Sequence, residues 1–246
     1  MIKRSFGWVP DVPDQRDYLY SAIRPVVRLP KKVDLREVCS EVEQQGNLGS
    51  CTAQALAGNL EFLDKKLDGR YEDVSRLFIY YNERVLMGAV DYDSGASLRD
   101  GIKTLKNDGA CSEKSWPYVV KRFDYKPPLK CYAEAKKHRI ESYHRIGSIS
   151  EMLPCLAEGF PFVFGFTVYE SFDTAKVKKT GVVNMPKKDE VTLGGHAVMA
   201  VGYDRAKKRF LVRNSWGRSW GMDGYFTMPF KYLETLAGDF WTVRKV

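Results

Sequence analysis

Gln45-Gly46-Asn47-Leu48-Gly49-Ser50-Cys51 runs directly into Thr52-Ala53-Gln54-Ala55-Leu56, a glycine-containing turn followed by an apolar helical pattern. Leu56, Leu60, Leu63 and Leu67 recur at helical spacing, which predicts a long helix with a buried face from about Cys51 to a stop at Gly69. The turn therefore delivers a thiol to a helix N-terminus. A thiol attacks as its thiolate, and at an ordinary pKa of about 8.5 little of it is ionised at neutral pH. The helix macrodipole, roughly half a positive charge at that end, favours the anion.

Further along, Ser75 is placed to cap a second helix that runs through Met87 to Gly88, and Ser97 a third, through Leu98, Ile102 and Leu105 to the stop at Asn107-Asp108-Gly109. After Pro127-Pro128 a short helix is expected at 131–139. The next one has Ser148 and Glu151 at capping-box spacing, with Pro154 limiting its regularity. From Pro161 the pattern turns to β, at 162–168, 182–184, 196–203, 210–214, 225–228 and 241–243, separated by glycine and charged turns. Helices first and strands second predicts an α+β protein in two lobes, about 29–125 helical and about 126–246 β. Residues 1–28, interrupted by Pro10, Pro13 and Pro25, read as an extended N-terminal extension.

A cysteine nucleophile needs a proton partner, and His196 is the candidate, flanked by the small residues Gly194, Gly195 and Ala197. Asn214 would bond the far ring nitrogen and hold the imidazole's tautomer and orientation. The oxyanion of a tetrahedral intermediate needs preorganised donors, for which the Gln45 side-chain amide and the Cys51 backbone N–H are placed. Each residue alone has an ordinary structural explanation, a buried thiol or a turn amide. Their co-occurrence points to nucleophilic catalysis.

These stretches resemble the papain-like cysteine peptidases. Gln45-Gly46 with Gly49-Ser50-Cys51 matches that family's nucleophile loop, and Gly195-His196-Ala197-Val198 with Val201-Gly202-Tyr203 its histidine strand. Asn214-Ser215-Trp216-Gly217, then Trp220-Gly221 and Gly224-Tyr225, matches the asparagine strand and is the most specific of the three. The resemblance implies a papain-like two-lobe fold: a helical N-terminal lobe, an antiparallel β-barrel-like C-terminal lobe, and the cleft between them. It implies an endopeptidase working through a Cys51 acyl-enzyme, with His196 as general acid and base, Asn214 orienting it and Gln45 at the oxyanion. By the same resemblance Trp216 shields the His196–Asn214 bond, Trp220 lines the leaving-group side, and Gly49 and Gly95 contact an extended substrate. Leu48 and Tyr92 stand near the family's disulfide positions, Thr52 replaces the usual aromatic after the nucleophile, and Gly195 replaces an Asp or Asn. The missing disulfide fits a bacterial, archaeal or viral branch, and Gly7-Trp8-Val9-Pro10-Asp11 with Pro13-Asp14 and Arg16-Asp17 is similar to the start of xylellain-like bacterial members.

The 246 residues, 44% hydrophobic, suffice for a sizeable core. No run is long enough to span a bilayer, and no secretory signal is visible at the N-terminus. A cytoplasmic protein, or one released without a signal peptide, is expected, with no membrane partner. Five cysteines at irregular spacing read as mostly free thiols, and the histidines lack metal-ligand neighbours, so no metal or cofactor is expected. The net charge of +8 is concentrated after residue 120, in clusters such as Lys136-Lys137 and Lys207-Lys208-Arg209. These read as solvated loop faces, and without a recognition-helix or RNA-binding motif a nucleic-acid partner is not expected. The expected partner is a peptide or protein substrate. Residues 1–28 have two readings: a strap packing Phe6, Trp8, Tyr18 and Tyr20 against the lobes, or a strand across the cleft that inhibits intramolecularly, as in a zymogen. Two other functions use the same residues, a peptide or isopeptide acyltransferase and an inactive peptidase-like binding protein.

Overall fold

The structure is a computed structural model that describes residues 5–245. In chain order it comprises β1 (Lys32–Asp34), α1 (Cys51–Asp68), α2 (Arg76–Met87), α3 (Leu98–Asn107), α4 (Leu129–Ala135), β2 (Ser142–Arg145), α5 (Ile149–Ala157), β3 (Phe162–Tyr169), α6 (Ala175–Thr180), β4 (Thr192–Asp204), β5 (Arg209–Arg213), β6 (Tyr225–Pro229), α7 (Phe230–Leu236) and β7 (Ala237–Arg244). The strands form one antiparallel sheet in the order β2-β7-β3-β4-β5-β6, with β1 paired to β4. Among the described residues no pairing joins β2 to β6, so the sheet of the expected barrel-like lobe is open rather than closed. This is the expected mixture of helices and antiparallel sheet.

Helix α1 is the axis of the molecule. Every residue from Cys51 to Asp64 is buried, and the helix ends at Gly69 in the left-handed conformation, which glycine adopts without steric cost. Leu67, expected on the buried face, is 48% exposed because the helix leaves the core in its last turn. Among the polar residues this burial takes in, Glu61 is held by several partners. Glu61 accepts from Arg76 Nη2 at 2.8 Å and from the Val74 N–H at 3.1 Å, and Ser40 Oγ donates to it as well. Arg213, the last residue of β5, donates to Ser40 Oγ at 2.8 Å. A Cβ on Gly58 would stand 2.7 Å from the Arg213 guanidinium, so only glycine lets the arginine cross α1 there. This buried clasp ties the helical half to the strand that ends beside Asn214.

Ser75 and Ser97 cap α2 and α3 as expected, accepting from the N–H groups of Phe78 and Asp100. The capping box at α5 does not form: Glu151 accepts from the Gly147 N–H at 2.7 Å, and Ser148 Oγ turns to Ser150 Oγ at 2.8 Å. Glu151 thus bonds the residue before the N-cap instead of the N-cap's own N–H. α4 starts two residues earlier than expected and tightens into a 3-10 turn at 136–138. Residues 182–184 contribute an isolated bridge, Val182 to Thr227, instead of a strand. β1 and β2, short and only partly buried, carry no alternation that would mark them in sequence. β1 places residues 32–34 in the sheet of the second half although they precede the helices.

Candidate active site

Cys51 opens α1. Its N-cap, Ser50, makes no side-chain cap, because Ser50 Oγ is bonded to the Tyr118 hydroxyl at 2.6 Å. The unsatisfied N–H groups of the first turn are thus left to the site, with their partial positive charge. The N–H groups of Ala197, Gly7 and Thr52 approach the sulfur and favour its ionisation. Burial outweighs them: Cys51 is fully buried, which pushes its pKa up to about 11, and the Glu83 carboxyl adds to the rise.

His196, in β4, is also fully buried, and its Nε2 lies 2.8 Å from Asn214 Oδ1. The same Oδ1 accepts from the Ser215 backbone N–H at 2.9 Å. A backbone N–H can only donate, so this contact identifies the oxygen of the amide and makes His196 Nε2 the protonated nitrogen. Nδ1 is then the nitrogen able to accept a proton. Trp216 stacks on the His196 ring, 4.8 Å between centroids at 23°, and is 2% exposed. It covers one face of the imidazole. Trp220 stands perpendicular to Trp216 at 5.2 Å and stacks on Phe172, so it packs behind Trp216.

Gln45 is buried between the two halves. Its Oε1 accepts from Ser215 Oγ at 2.6 Å, and its Nε2 donates to Leu48 O at 3.0 Å and Ser5 O at 3.3 Å. Tyr118 Oη donates to Gln45 O at 2.9 Å, holding the loop before Cys51. The structure thus brings Cys51, Gln45, His196, Asn214 and Trp216 together from α1, the loop before it, β4 and the end of β5. Among the described residues no group of three or more His, Cys, Asp or Glu is placed to hold a metal ion.

The profile of the family described as "Papain family cysteine protease" matches residues 29–234. The chain belongs to this family. This papain-family protease is similar to the crystal structure of xylellain, a cysteine protease from Xylella fastidiosa, with 42% identity and a TM-score of 0.88 over 99% of this chain and 97% of that one. It is also 43% identical to an uncharacterized peptidase C1-like protein of Acanthamoeba polyphaga mimivirus, over 100% of this chain and 88% of the viral protein. Digestive procathepsin L 3 of Tenebrio molitor shares its fold at 19% identity, with a TM-score of 0.74 over 99% of this chain and 76% of that one. The chain is accordingly a cysteine-type peptidase, a hydrolase.

The family match begins at residue 29, and the segment before it enters the site of this papain-family protease. Trp8 N–H donates to Gly195 O at 3.0 Å, Val9 N–H to Ala96 O at 2.9 Å, and Ala96 N–H to Gly7 O at 2.8 Å. Gly7 is packed so closely that a Cβ there would stand 1.8 Å from Gly49 O. Phe6 sets its ring edge-on to His196 and Trp216. Residues 5–9 therefore cross the cleft over Cys51, while residues 1–4 of the extension lie outside the described residues. Tyr20 is buried in the core of the β half, whereas Tyr18 is 67% exposed, its ring touching Tyr143 and His144.

Two expectations shift. Gly95 does not bond the extended segment: the Tyr80 hydroxyl accepts its N–H at 3.1 Å, Ser94 Oγ donates to its carbonyl at 2.8 Å, and Ala96 makes the pair of backbone bonds instead. Gly49 contacts the segment, but its N–H is held by Asp93 at 3.0 Å. Asp93, Tyr80, Ala96, Ser215 and Tyr118 complete the site and were not singled out from sequence. The role of the Tyr118 hydroxyl depends on contacts across more than sixty positions of chain, with Ser50 and Gln45. All five cysteines are free and buried. Leu48 is buried and Tyr92 exposed at the positions where the family's disulfide would stand.

Proposed function

We propose that this protein is an endopeptidase that cleaves through an acyl-enzyme on Cys51 and is restrained by its own residues 5–9. In the open enzyme the Cys51 thiolate attacks the peptide carbonyl carbon. The proton it gave up rests on His196 Nδ1 and is passed to the leaving amine. Water then takes the place of the amine, loses a proton to His196 and releases the acid with the thiol restored. Asn214 Oδ1, its orientation held by Ser215, keeps the imidazole in the required tautomer, and Trp216 keeps water from that bond. Gln45 Nε2 and the Cys51 N–H are the oxyanion donors. The observation that carries this reading is the fully buried Cys51 at an uncapped helix start beside a His196–Asn214 pair whose tautomer is determined.

The restraint rests on what the segment presents to the sulfur. Gly7 offers Cys51 an N–H, not a carbonyl carbon, so the bound peptide is not positioned for attack. The Ser5 carbonyl meanwhile takes the Gln45 amide that an oxyanion would use. Proforms of related folds, a procathepsin and a ragweed pollen protease, support the same reading.

The test is labelling with an epoxide-type thiol inhibitor after removal of residues 1–10, comparing Cys51 with Cys51→Ala. Label on the first protein alone is expected, and equal labelling of both would undo the assignment. In peptide hydrolysis Gln45→Ala is expected to lower kcat by about 10²–10³-fold, the effect of losing one oxyanion donor.

A further inference from the structure

Glu83 of α2 lies against α1 and α3, a fully buried carboxyl group in the half of the molecule that carries Cys51. Its Oε2 accepts from the Thr52 hydroxyl at 2.6 Å. Thr52 directly follows Cys51 and stands where the family usually has an aromatic residue. The other oxygen, Oε1, has no hydrogen-bond partner among the described residues. It lies with Leu56 against the backbone of α3: a Cβ on Gly101 would stand 2.3 Å from Leu56 Cδ1 and 2.7 Å from Glu83 Oε1. The neighbouring cation on α2, Arg84, gives its donors to the carbonyls of Val90 at 2.7 Å, of Tyr92 at 3.1 Å and of Phe123. Asp100 of α3 also acts on Glu83, and its sign opposes ionisation.

A carboxylate so enclosed, with one hydrogen bond and one bare oxygen, is far costlier than the neutral acid, so Glu83 keeps its proton at neutral pH. Burial pushes its pKa up to about 8, against the Thr52 bond and the Arg84 charge, which lower it. The charge matters to the nucleophile. Cys51 has its pKa raised first by burial and then further by a negative Glu83. We propose that Glu83 is a positioning residue for the nucleophile that works as a neutral acid: it fixes Thr52 behind Cys51 without placing a negative charge there, and its ionisation opposes the thiolate and closes the working range on the alkaline side. The proposal rests on the peptidase reading of Cys51.

The test has two arms, both on the full-length chain. Glu83→Gln keeps the shape and an acceptor for Thr52 but cannot ionise. In the infrared difference between the unaltered chain and Glu83→Gln, the carbonyl band of a neutral carboxylic acid is expected at neutral pH, fading as pH rises through about 8. This arm needs no turnover, and absence of the band overturns the proposal alone. The second arm follows kcat/KM for a peptide against pH in the Gly7→Ala chain, with and without Glu83→Gln. The acid limb should stay within about 0.3 pH unit, because Glu83 is neutral there, and the alkaline limb should move up by about half a unit or more. A merely structural role would lower kcat/KM at every pH and move neither limb. Unmoved limbs, or an acid limb that falls because a standing charge was removed, overturn this proposal alone. No turnover of any peptide by a chain whose Cys51 still takes the epoxide overturns the peptidase reading and this proposal with it.

Discussion

Two neighbouring stretches of the N-terminal segment are held in opposite ways. Ser5–Val9 is held mainly by backbone: three main-chain bonds to Gly195 and Ala96, with Gly7 fitting only because it lacks a side chain. Asp11–Tyr20 is held mainly by side chains. Asp11 accepts from the Arg99 N–H at 3.0 Å and Trp241 Nε1 at 2.8 Å, and Asp17 accepts from Arg99 Nη2 at 2.6 Å and Arg145 Nη1 at 2.9 Å. Tyr20, fully buried, donates to Glu158 at 3.1 Å. Main-chain bonds in a cleft can be replaced by water or substrate at modest net cost. Releasing Asp17 would strand the Arg99 guanidinium and take from Arg145 its shorter ion pair, and that is far more costly. On the reading proposed above, the segment is a plug that can open and a latch that stays.

The largest expected effect comes from separating the two. Deleting residues 1–10 removes the plug and keeps the latch, and peptide turnover should rise by about a hundredfold or more while the melting temperature moves by only a few degrees. A rise below about threefold would break the distinction. Asp17→Ala should weaken the latch by about 3 kcal/mol, since it leaves Arg99 without its carboxylate and Arg145 with only its longer contact to Asp239. Limited proteolysis within residues 5–20 and a lowered urea midpoint would register it. Gly7→Ala places a methyl against Gly49 O, and overpacking of that kind costs about 1–3 kcal/mol. It should raise activity roughly five- to a hundredfold, with the latch still protected from protease; equal loss of protection in both stretches would show that they move as one.

The smallest effect is in pH. Burial under the plug raises the Cys51 pKa to about 11, so the docked form holds its proton where the open form has begun to lose it. Docking is then at full strength below the open-form pKa and weakens as pH rises toward about 11, by at most about 1.4 kcal/mol per pH unit. Iodoacetamide labelling of the intact chain should climb steeply with pH across the alkaline range. The chain lacking residues 1–10 should already label fast near neutrality, and parallel profiles would mean that the plug does not govern the thiol.

Much of the site was legible because its residues advertise themselves locally. Cys51 follows a glycine turn and precedes leucines at helical spacing, and the asparagine motif packs Asn214, Trp216 and Trp220 into seven residues. The departures at Thr52 and Gly195 were visible too, but not their reasons. Thr52 Oγ1 donates to Glu83 at 2.6 Å, a partner thirty-one residues away on α2, and Gly195 makes room for the Trp8 ring. Gly95 was expected, from the family resemblance, to offer backbone bonds to an extended substrate. Its N–H proved to be taken by Tyr80, which no local pattern could tell.

By itself the sequence determined the helix that presents Cys51, the caps of the next two helices and the change from a mainly helical first half to a mainly β second half, because those follow from short-range periodicity and turn chemistry. Tertiary structure alone decided that Gly7 lies on the sulfur, that Arg99 and Arg145 grip Asp17, and that Asp239 accepts from the Trp8 indole N–H at 3.2 Å. Each of these depends on which surfaces meet when distant segments pack. Such meetings are settled by steric fit and by pairing of buried charges across the chain, and neither leaves a periodic trace in one segment.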